Sequence, residues 1–586
     1  MRRRATDIGI SGKMFTDLAE KFIKAVLARQ VPQCSAQEVM AAYKDNEDIA
    51  AIDRLLLTGF YGFAKPFLPD PVRERLDALR KLSDLRTPNE WFPHARRIQS
   101  GKTHEALQRL KEAESGVYCG PLRLLAHEIF ERMNAEGIPC NLLTGEERRE
   151  VAPDARLISS TVEMADLAKP LEVAVIDEIQ MIGDLQRGWA WTQAFLGVRA
   201  KEVHLCGEAS VVPLIKSMGN ALGEEVIIRE YNRLTPLEVS NESLNKDLKK
   251  IEKGDCVVAF SRSMIFDMKK RIEEETGLRC AVVYGALPPA LQVKSFNDPN
   301  GDLDVLVASD AIGMGLNLCV KRMIFSSVQK YNGTTVAYLS IPQVKQIAGR
   351  AGRFGTLYVT GTVTTLLGQD LAYVRQSMQA PIQYLELAGL QPPIRILELF
   401  SQQLNGVSYS SLLEKFEEFA SVGNSFFLCN VKEQKKIADA IEHINMPLRD
   451  RHQFVVAPVD IDDELCMKAI EHLARSFSKQ NNCSLTDLIQ LSEVVTDEKA
   501  LKHLESSHKV VILYMWLSLR YPEVFVTKSP DALELKRRCE NLIDQALRQL
   551  GIQRNSKLSS KRRKPNQDLV LDVLHKNTSL NSKRRR

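Results

Sequence analysis

Apolar positions along this chain change their period in blocks, and the blocks predict its architecture. From residue 14 to about residue 90, Leu, Ile, Ala and Phe recur at three- and four-residue spacing, as in helices that bury one face, with a proline-rich break from Pro66 to Pro71. From about residue 93 to 233, short β-branched runs alternate with helical stretches. Residues 116–119 predict a strand, 122–135 a helix, the run near 173 a buried strand and 202–206 another, the pattern of a parallel α/β domain. A second such set follows Leu234-Thr-Pro236, with strands expected at 255–260, 280–284, 303–308 and 323–326 and a closing helix at 346–353. Helical periodicity returns from about 366 to 535. The resulting division is 1–92 helical, 93–233 first α/β domain, 234–365 second α/β domain, 366–535 helical, and 536–586 a basic tail expected to be disordered.

Composition adds class and charge to this picture. A chain of 586 residues, 44% of them apolar, supports several ordinary cores. No stretch approaches the ~20 apolar residues of a membrane span, and residues 510–517 read as part of a core helix, so membrane insertion is not expected. The eleven cysteines are scattered and never form a C-x-x-C pair, which points to reduced thiols rather than a structural zinc site. Net charge is unevenly placed. Residues 551–586 carry a formal +9 against +5 for the whole chain, leaving the body at −4. The clusters Lys561–Lys564 and Lys583–Arg586 suit an arm that grips phosphates, a nuclear localisation signal, or plain solubilising charge. At the other end, Met1-Arg-Arg-Arg4 followed by an amphipathic stretch at 14–29 fits a weakly marked mitochondrial transit peptide.

Chemistry concentrates at three places. In Gln346-Ile-Ala-Gly-Arg-Ala-Gly-Arg353, a helix would set Gln346, Arg350 and Arg353 on one face. Two guanidinium groups there suit neutralisation of charge developing on a γ-phosphate, while Gln346 suits reading a base or positioning a water. A solvated basic helix end is the bland alternative. The run from Leu171 ends in Asp177 and Glu178, as a buried parallel strand delivers acids to its C-terminal edge. Asp177 would hold Mg²⁺, with Mn²⁺ as an alternative, and Glu178 would polarise the attacking water. Gly101-Lys102-Thr103 supplies the end of a phosphate loop, Lys102 for the β/γ-phosphates of ATP and the Thr103 hydroxyl for the metal. The first half of that loop is missing: Arg96 stands where its first glycine belongs, and residues 91–98 do not read as a buried strand. With the acids on one α/β domain and the arginines on the other, the two meet only across a cleft, which makes triphosphate binding a closure event.

The order of these motifs resembles the superfamily-two DExH-box helicases. The wording of residues 120–128, 144–148, 161–164, 175–181 and 205–208, then of 284–289, 308–317, 346–353 and 508–525, is similar to the mitochondrial degradosome RNA helicases of the suppressor-of-Var type. The resemblance covers roughly residues 15 to 535. It implies two tandem RecA-like parallel-sheet domains flanked by helical regions, with hydrolysis of ATP driving RNA duplex unwinding. It further implies that Arg123, the turn Thr144-Gly145-Glu146 and Thr161 face RNA, touching phosphate and sugar. Asp310, Gly313 and Gly315 would belong to the nucleotide site or couple it to the RNA. An exoribonuclease partner, a homodimer, the mitochondrial matrix, and DNA or RNA–DNA hybrids as further substrates belong to the same implication.

Where such relatives run an apolar strand into Gly-Pro-Thr-Asn-Ser-Gly-Lys-Thr, this chain passes directly from Ile98 to Gln99-Ser-Gly-Lys-Thr103, as though on the order of ten residues had been removed. The expected consequence is loss of the central strand of the first sheet and weak binding of ATP. A catalytically silent RNA-binding or scaffold form is therefore the alternative to a motor. A P-loop nucleotide kinase or transporter-type ATPase is a second alternative, disfavoured because neither needs a second α/β domain carrying Gln346, Arg350 and Arg353.

Overall fold

In the computed structural model the described residues are 7–31, 34, 49–85, 97–101, 103–231, 235–284, 296–298, 301–313, 318–331, 335–352, 358, 360–404, 406–491 and 498–558. Among the described residues the N-terminal region shows the α-helices Gly12–Leu27, Ile49–Ala64 and Asp70–Leu82. Ser11 caps the first by accepting a hydrogen bond from the Met14 amide, and Leu18, Phe22 and Ala25 bury its inner face at three- and four-residue intervals. A two-residue strand, β1 (Asp84–Leu85), closes the region.

The first sheet contains β2 (Arg97–Gly101), β3 (Gly116–Gly120), β4 (Cys140–Leu143), β5 (Arg148–Arg149), β6 (Leu157–Thr161), β7 (Leu171–Ile176), β8 (Ala200–Cys206) and β9 (Glu225–Ile228). Its order is β5-β4-β6-β3-β7-β8-β2-β9, parallel except for the β4–β5 pair. Both faces are covered. Val117 and Cys119 join one core while Tyr118 joins the other, with the helix Thr103–Glu112 packing Ala106, Leu107 and Leu110 on that second side.

One expectation is corrected here: the strand before the phosphate loop is present. β2 pairs in parallel with both β8 and β9, setting Gln99 against His204 and Gly101 against Cys206. A gap between β8 and β9 would leave two rows of backbone donors and acceptors unpaired, so residues that would otherwise form the loop are drawn into the ladder. The connection from β2 to the helix at Thr103 is then a single residue.

The second sheet contains β10 (Leu237–Val239), β11 (Asp255–Val258), β12 (Cys280–Val283), β13 (Val305–Ala308) and β14 (Arg322–Phe325). A separate antiparallel hairpin, β15 (Gln329–Tyr331) with β16 (Val336–Tyr338), precedes its last strand, β17 (Gly361–Thr365). Its order is β10-β17-β14-β11-β13-β12, parallel throughout. The closing helix spans only Ile341–Ala348, against the expected 346–353. Gly349 caps it, and Gly352 adopts φ +65°, where a β-carbon would lie 2.3 Å from the Gly361 amide nitrogen. The glycines among the arginines thus let the chain pass close to β17 rather than continue a helix.

The helix Gly368–Gln379 leads into the C-terminal region, built from Ile394–Ser401, Tyr409–Phe419, Lys432–Ile441, Leu448–Val455, Glu464–Ser478, Glu498–Ser518 and Ser529–Leu558. Two small parallel pairs interrupt it. β18 (Ala388–Leu390) pairs with β20 (Phe426–Leu428), and β19 (Ser421–Val422) pairs with β1 from the N-terminal region. Tyr61 stacks on Phe419 with ring centroids 5.2 Å apart, so both helical regions share one core. The expected start of the tail at 536 is also corrected. The last helix spans Ser529–Leu558, and Ala532, Cys539, Ile543 and Ala546 bury a stripe of it against the rest of the region. Residues 559–586, with both basic clusters, lie outside the described residues.

Candidate active site

β7 is buried along almost its whole length and ends at Ile176, delivering Asp177 and Glu178 to the edge of the first sheet. Both side-chain oxygens of Asp177 are occupied: Thr103 Oγ1 donates to Oδ1 at 3.0 Å and the Tyr118 hydroxyl donates to Oδ2 at 2.8 Å. The Trp191 indole donates to its carbonyl at 3.0 Å. Burial, and then the neighbouring charge of Glu178, push the Asp177 carboxyl up to about 6 against these hydrogen bonds. Glu178 turns the chain in the left-handed region, φ +51°, a non-glycine conformation that costs roughly 1–3 kcal/mol and clusters at functional sites.

Gln180, which sequence reasoning passed over, ties this turn to the next strand. Its Nε2 donates to Glu178 Oε2 at 2.5 Å while its Oε1 accepts from the Glu208 amide at 3.1 Å, just beyond β8. A glutamine two residues after an acidic pair was its only sequence signal.

From the turn after the helix Ile341–Ala348, Arg350 reaches across the cleft. Its Nη2 lies 3.6 Å from Glu178 Oε1, and its Nε and Nη2 donate to the Gly313 carbonyl at 3.0 and 2.6 Å. Gln346 packs beside Gly313 from the helix Ile341–Ala348. Asp310 opens a short 3-10 turn after β13 and pairs with Lys330 at 2.7 Å. Thr103, Asp177, Glu178, Gly313, Gln346 and Arg350 therefore converge at one interdomain cleft. Gly101 ends β2, and Lys102, Gly315 and Arg353 lie outside the described residues.

The donor set suits a hard divalent cation. A buried carboxylate and a threonine hydroxyl are oxygen ligands, and a cation beside Asp177 would relieve the burial of its negative charge. Among the described residues no group of three or more His, Cys, Asp or Glu side chains could form an all-protein cage.

A second cleft, of about 790 Å³, opens between the first sheet and the C-terminal helices. Arg123, Gly145, Glu146 and Thr161 line one side, and Gln453, Trp516 and Arg520 the other. Thr144 departs from expectation: it is buried, and its hydroxyl accepts from the Glu147 amide at 3.1 Å, closing the turn instead of facing the cleft. The Glu146 carboxylate is likewise buried, between Arg123 and Lys536, the latter at 2.9 Å from the last helix. Burial would raise Glu146, but the two cations outweigh it and hold the carboxyl below its usual range. For Glu147, hydrogen bonds from His127 and Arg149 override burial and bring it down to about 2. The turn is thus folded around two ion-paired carboxylates, and Gly145 lines the second cleft, packed against Trp516.

Residues 85–231 match the family model of the DEXQ-box helicase domain of Suv3, and 240–355 that of the helicase conserved C-terminal domain. Residues 436–478 match Suv3 C-terminal domain 1, and 501–549 the ATP-dependent RNA helicase SUV3 C-terminal domain. Over 586 residues the chain is 39% identical to a Danio rerio protein named ATP-dependent RNA helicase SUPV3L1, mitochondrial, covering 95% of this chain and 75% of the relative. It is 43% identical over 487 residues to the Arabidopsis thaliana DExH-box ATP-dependent RNA helicase DExH18, mitochondrial, covering 80% and 62%. Among solved structures, the E. coli DExH-box NTPase HrpB aligns at a TM-score of 0.40 and 15% identity over 75% of this chain and 57% of that one.

Proposed function

Because this chain belongs to the Suv3 family of ATP-dependent RNA helicases, we propose that the interdomain cleft is its ATP-hydrolysing centre and that the second cleft carries RNA. The observation that supports this most directly is Arg350 of the second sheet lying 3.6 Å from Glu178 of the first. A triphosphate between them would have a carboxylate on one side, to polarise the attacking water, and a guanidinium on the other, to neutralise charge on the γ-phosphate. Asp177 and Thr103 would hold Mg²⁺, which when bound neutralises phosphate charge; Mn²⁺ has the same oxygen preference. Gln180 fixes the Glu178 carboxylate. Gln346 sits where it can orient water or base, and Asp310 and Gly313 form the second-domain wall.

RNA would lie along Arg123, the Gly145 backbone and Thr161, contacts that position phosphate and sugar without reading bases. Thr144 and Glu146 serve it indirectly, by shaping the turn and holding Arg123. The relatives' names support a mitochondrial address for this family, the matrix being our finer reading and the nucleus a second one carried by the basic tail. An exoribonuclease partner and a homodimer complete the reading on resemblance alone.

ATP hydrolysis by the purified full chain, with and without single-stranded RNA, tests it. RNA-stimulated turnover should fall by about 10²–10³-fold in Glu178→Gln, with RNA affinity kept within about twofold. RNA binding without RNA-stimulated turnover would instead identify a silent RNA-binding form.

A further inference from the structure

Among the described residues, the second cleft holds a cation that no carboxylate balances. Arg520 follows the helix Glu498–Ser518, half-buried, with its guanidinium carbon 3.4 Å from the centre of the Trp516 ring. Nη1 donates to the Trp516 carbonyl at 2.8 Å and reaches the Gly145 carbonyl at 3.4 Å. Nε donates to Gln453 Oε1 at 3.2 Å, and Nη2 lies 3.6 Å from Met164 Sδ. Every one of these partners is neutral. The other arginines lining the cleft are paired, Arg123 with Glu146 and Arg187 with Glu163 at 2.6 Å. Among the described residues Arg520 has no such partner, and burial pushes its guanidinium down to about 10, still charged at neutral pH.

A partly desolvated cation without a counter-charge is costly, and folds that keep one usually supply its anion from a ligand. Guanidinium is the side chain best shaped for a phosphodiester, which it can grip with two parallel N–H donors. Stacking on Trp516 fixes its plane and limits the rotamer entropy lost on binding. The position is built rather than incidental. Gly145 lets the turn close on Trp516, since a β-carbon there would stand 3.0 Å from the indole Cδ1. Gly145 and Arg520 therefore belong to one fitted contact between the first sheet and the C-terminal helices.

We propose that Arg520 binds a backbone phosphate of the RNA strand from the C-terminal side of the cleft, held in position by Trp516. The inference rests on the RNA reading of this cleft and adds to it a contact from the helical region. RNA is then clamped between the two regions, and because Arg520 meets the backbone, the clamp is indifferent to sequence.

The test measures anisotropy of a labelled oligouridylate on the nucleotide-free full chain across a KCl series, for the parent, Arg520→Gln and Arg123→Gln. Arg520→Gln should weaken binding by about tenfold and flatten the log Kd against log salt slope by about 0.7, the value for one single-strand phosphate contact. A merely structural role would leave that slope unchanged. An unchanged slope in Arg520→Gln beside a flattened one in Arg123→Gln overturns the inference and leaves the cleft reading standing. Unchanged slopes in both overturn the two together. Should Arg520→Gln fail to fold, phenylglyoxal labelling of the unaltered chain decides. Protection of Arg520 by saturating oligouridylate is expected, and equal labelling with and without it rejects the phosphate contact.

Discussion

Asp177 shows how a single side chain is held in tension by its site. Its carboxyl is raised from 3.8 to about 6, so the folded chain binds the proton more tightly than the unfolded one. Its contribution to stability is therefore full below about pH 4 and is lost as pH rises through 6. At pH 7.5 without divalent cation, the ionised form carries a penalty of about 2–3 kcal/mol at ~1.4 kcal/mol per pKa unit. Asp177→Asn should accordingly raise the metal-free unfolding midpoint at pH 7.5, with the gain shrinking toward pH 5 while activity disappears. Equal gains at both pH values would show that burial of the charge is not the cause. At this scale the sequence announced the acids and Arg350, whose types and spacing carry chemistry. It did not announce Tyr118 or Trp191, which read as apolar core until the fold aims their polar tips at Asp177.

At the scale of elements, four strands of the second sheet, β11 to β14, and the acidic strand of the first were legible because they are continuous apolar runs. β10 and β17 were not. β10 has only three residues, and β17 is Gly361-Thr-Val-Thr-Thr365, a polar run whose pairing is dictated by neighbours more than by its own pattern. The same tertiary override places β2 where the sequence suggested no strand. A conventional phosphate loop offers several consecutive amides to the phosphates, and a one-residue connection cannot. Restoring an apolar strand and a Gly-x-x-x-x-Gly-Lys-Thr loop ahead of Thr103 should lower the KM for ATP by about tenfold or more. An unchanged KM would mean that the short connection already suffices. The last helix makes its own prediction through Lys536, which reaches Glu146 at 2.9 Å. Lys536→Ala should cost about 1–3 kcal/mol by leaving a buried carboxylate short of one cation. Adding Glu146→Gln should recover part of that loss in a double-mutant cycle. Strict additivity would deny the pair any coupling.

For the whole molecule, the two clefts share the first sheet as a common wall. Glu178 follows β7 while Thr161 ends β6, and β3 lies between these strands. Movement of the second sheet at the interdomain cleft can thereby reach the second cleft through the first sheet. The basic tail acts outside this frame. Removing residues 559–586, which carry nine Lys or Arg and two Asp, should flatten the salt dependence of RNA binding by several phosphate equivalents with little effect on turnover at saturating RNA. An unchanged slope would leave the tail to addressing or solubility.

The pairing of β1 with β19 also sets a timetable. Leu85 meets Val422, and Tyr61 meets Phe419, only after more than three hundred intervening residues have been synthesised. At a translation rate of ~5–20 residues per second that is a delay of roughly 20–70 s. Throughout it, the N-terminal helices leave the ribosome with the apolar face meant for Phe419 uncovered. A segment made early is thus among the last to finish folding, and a chaperone that shields it in the meantime would govern the yield of the chain.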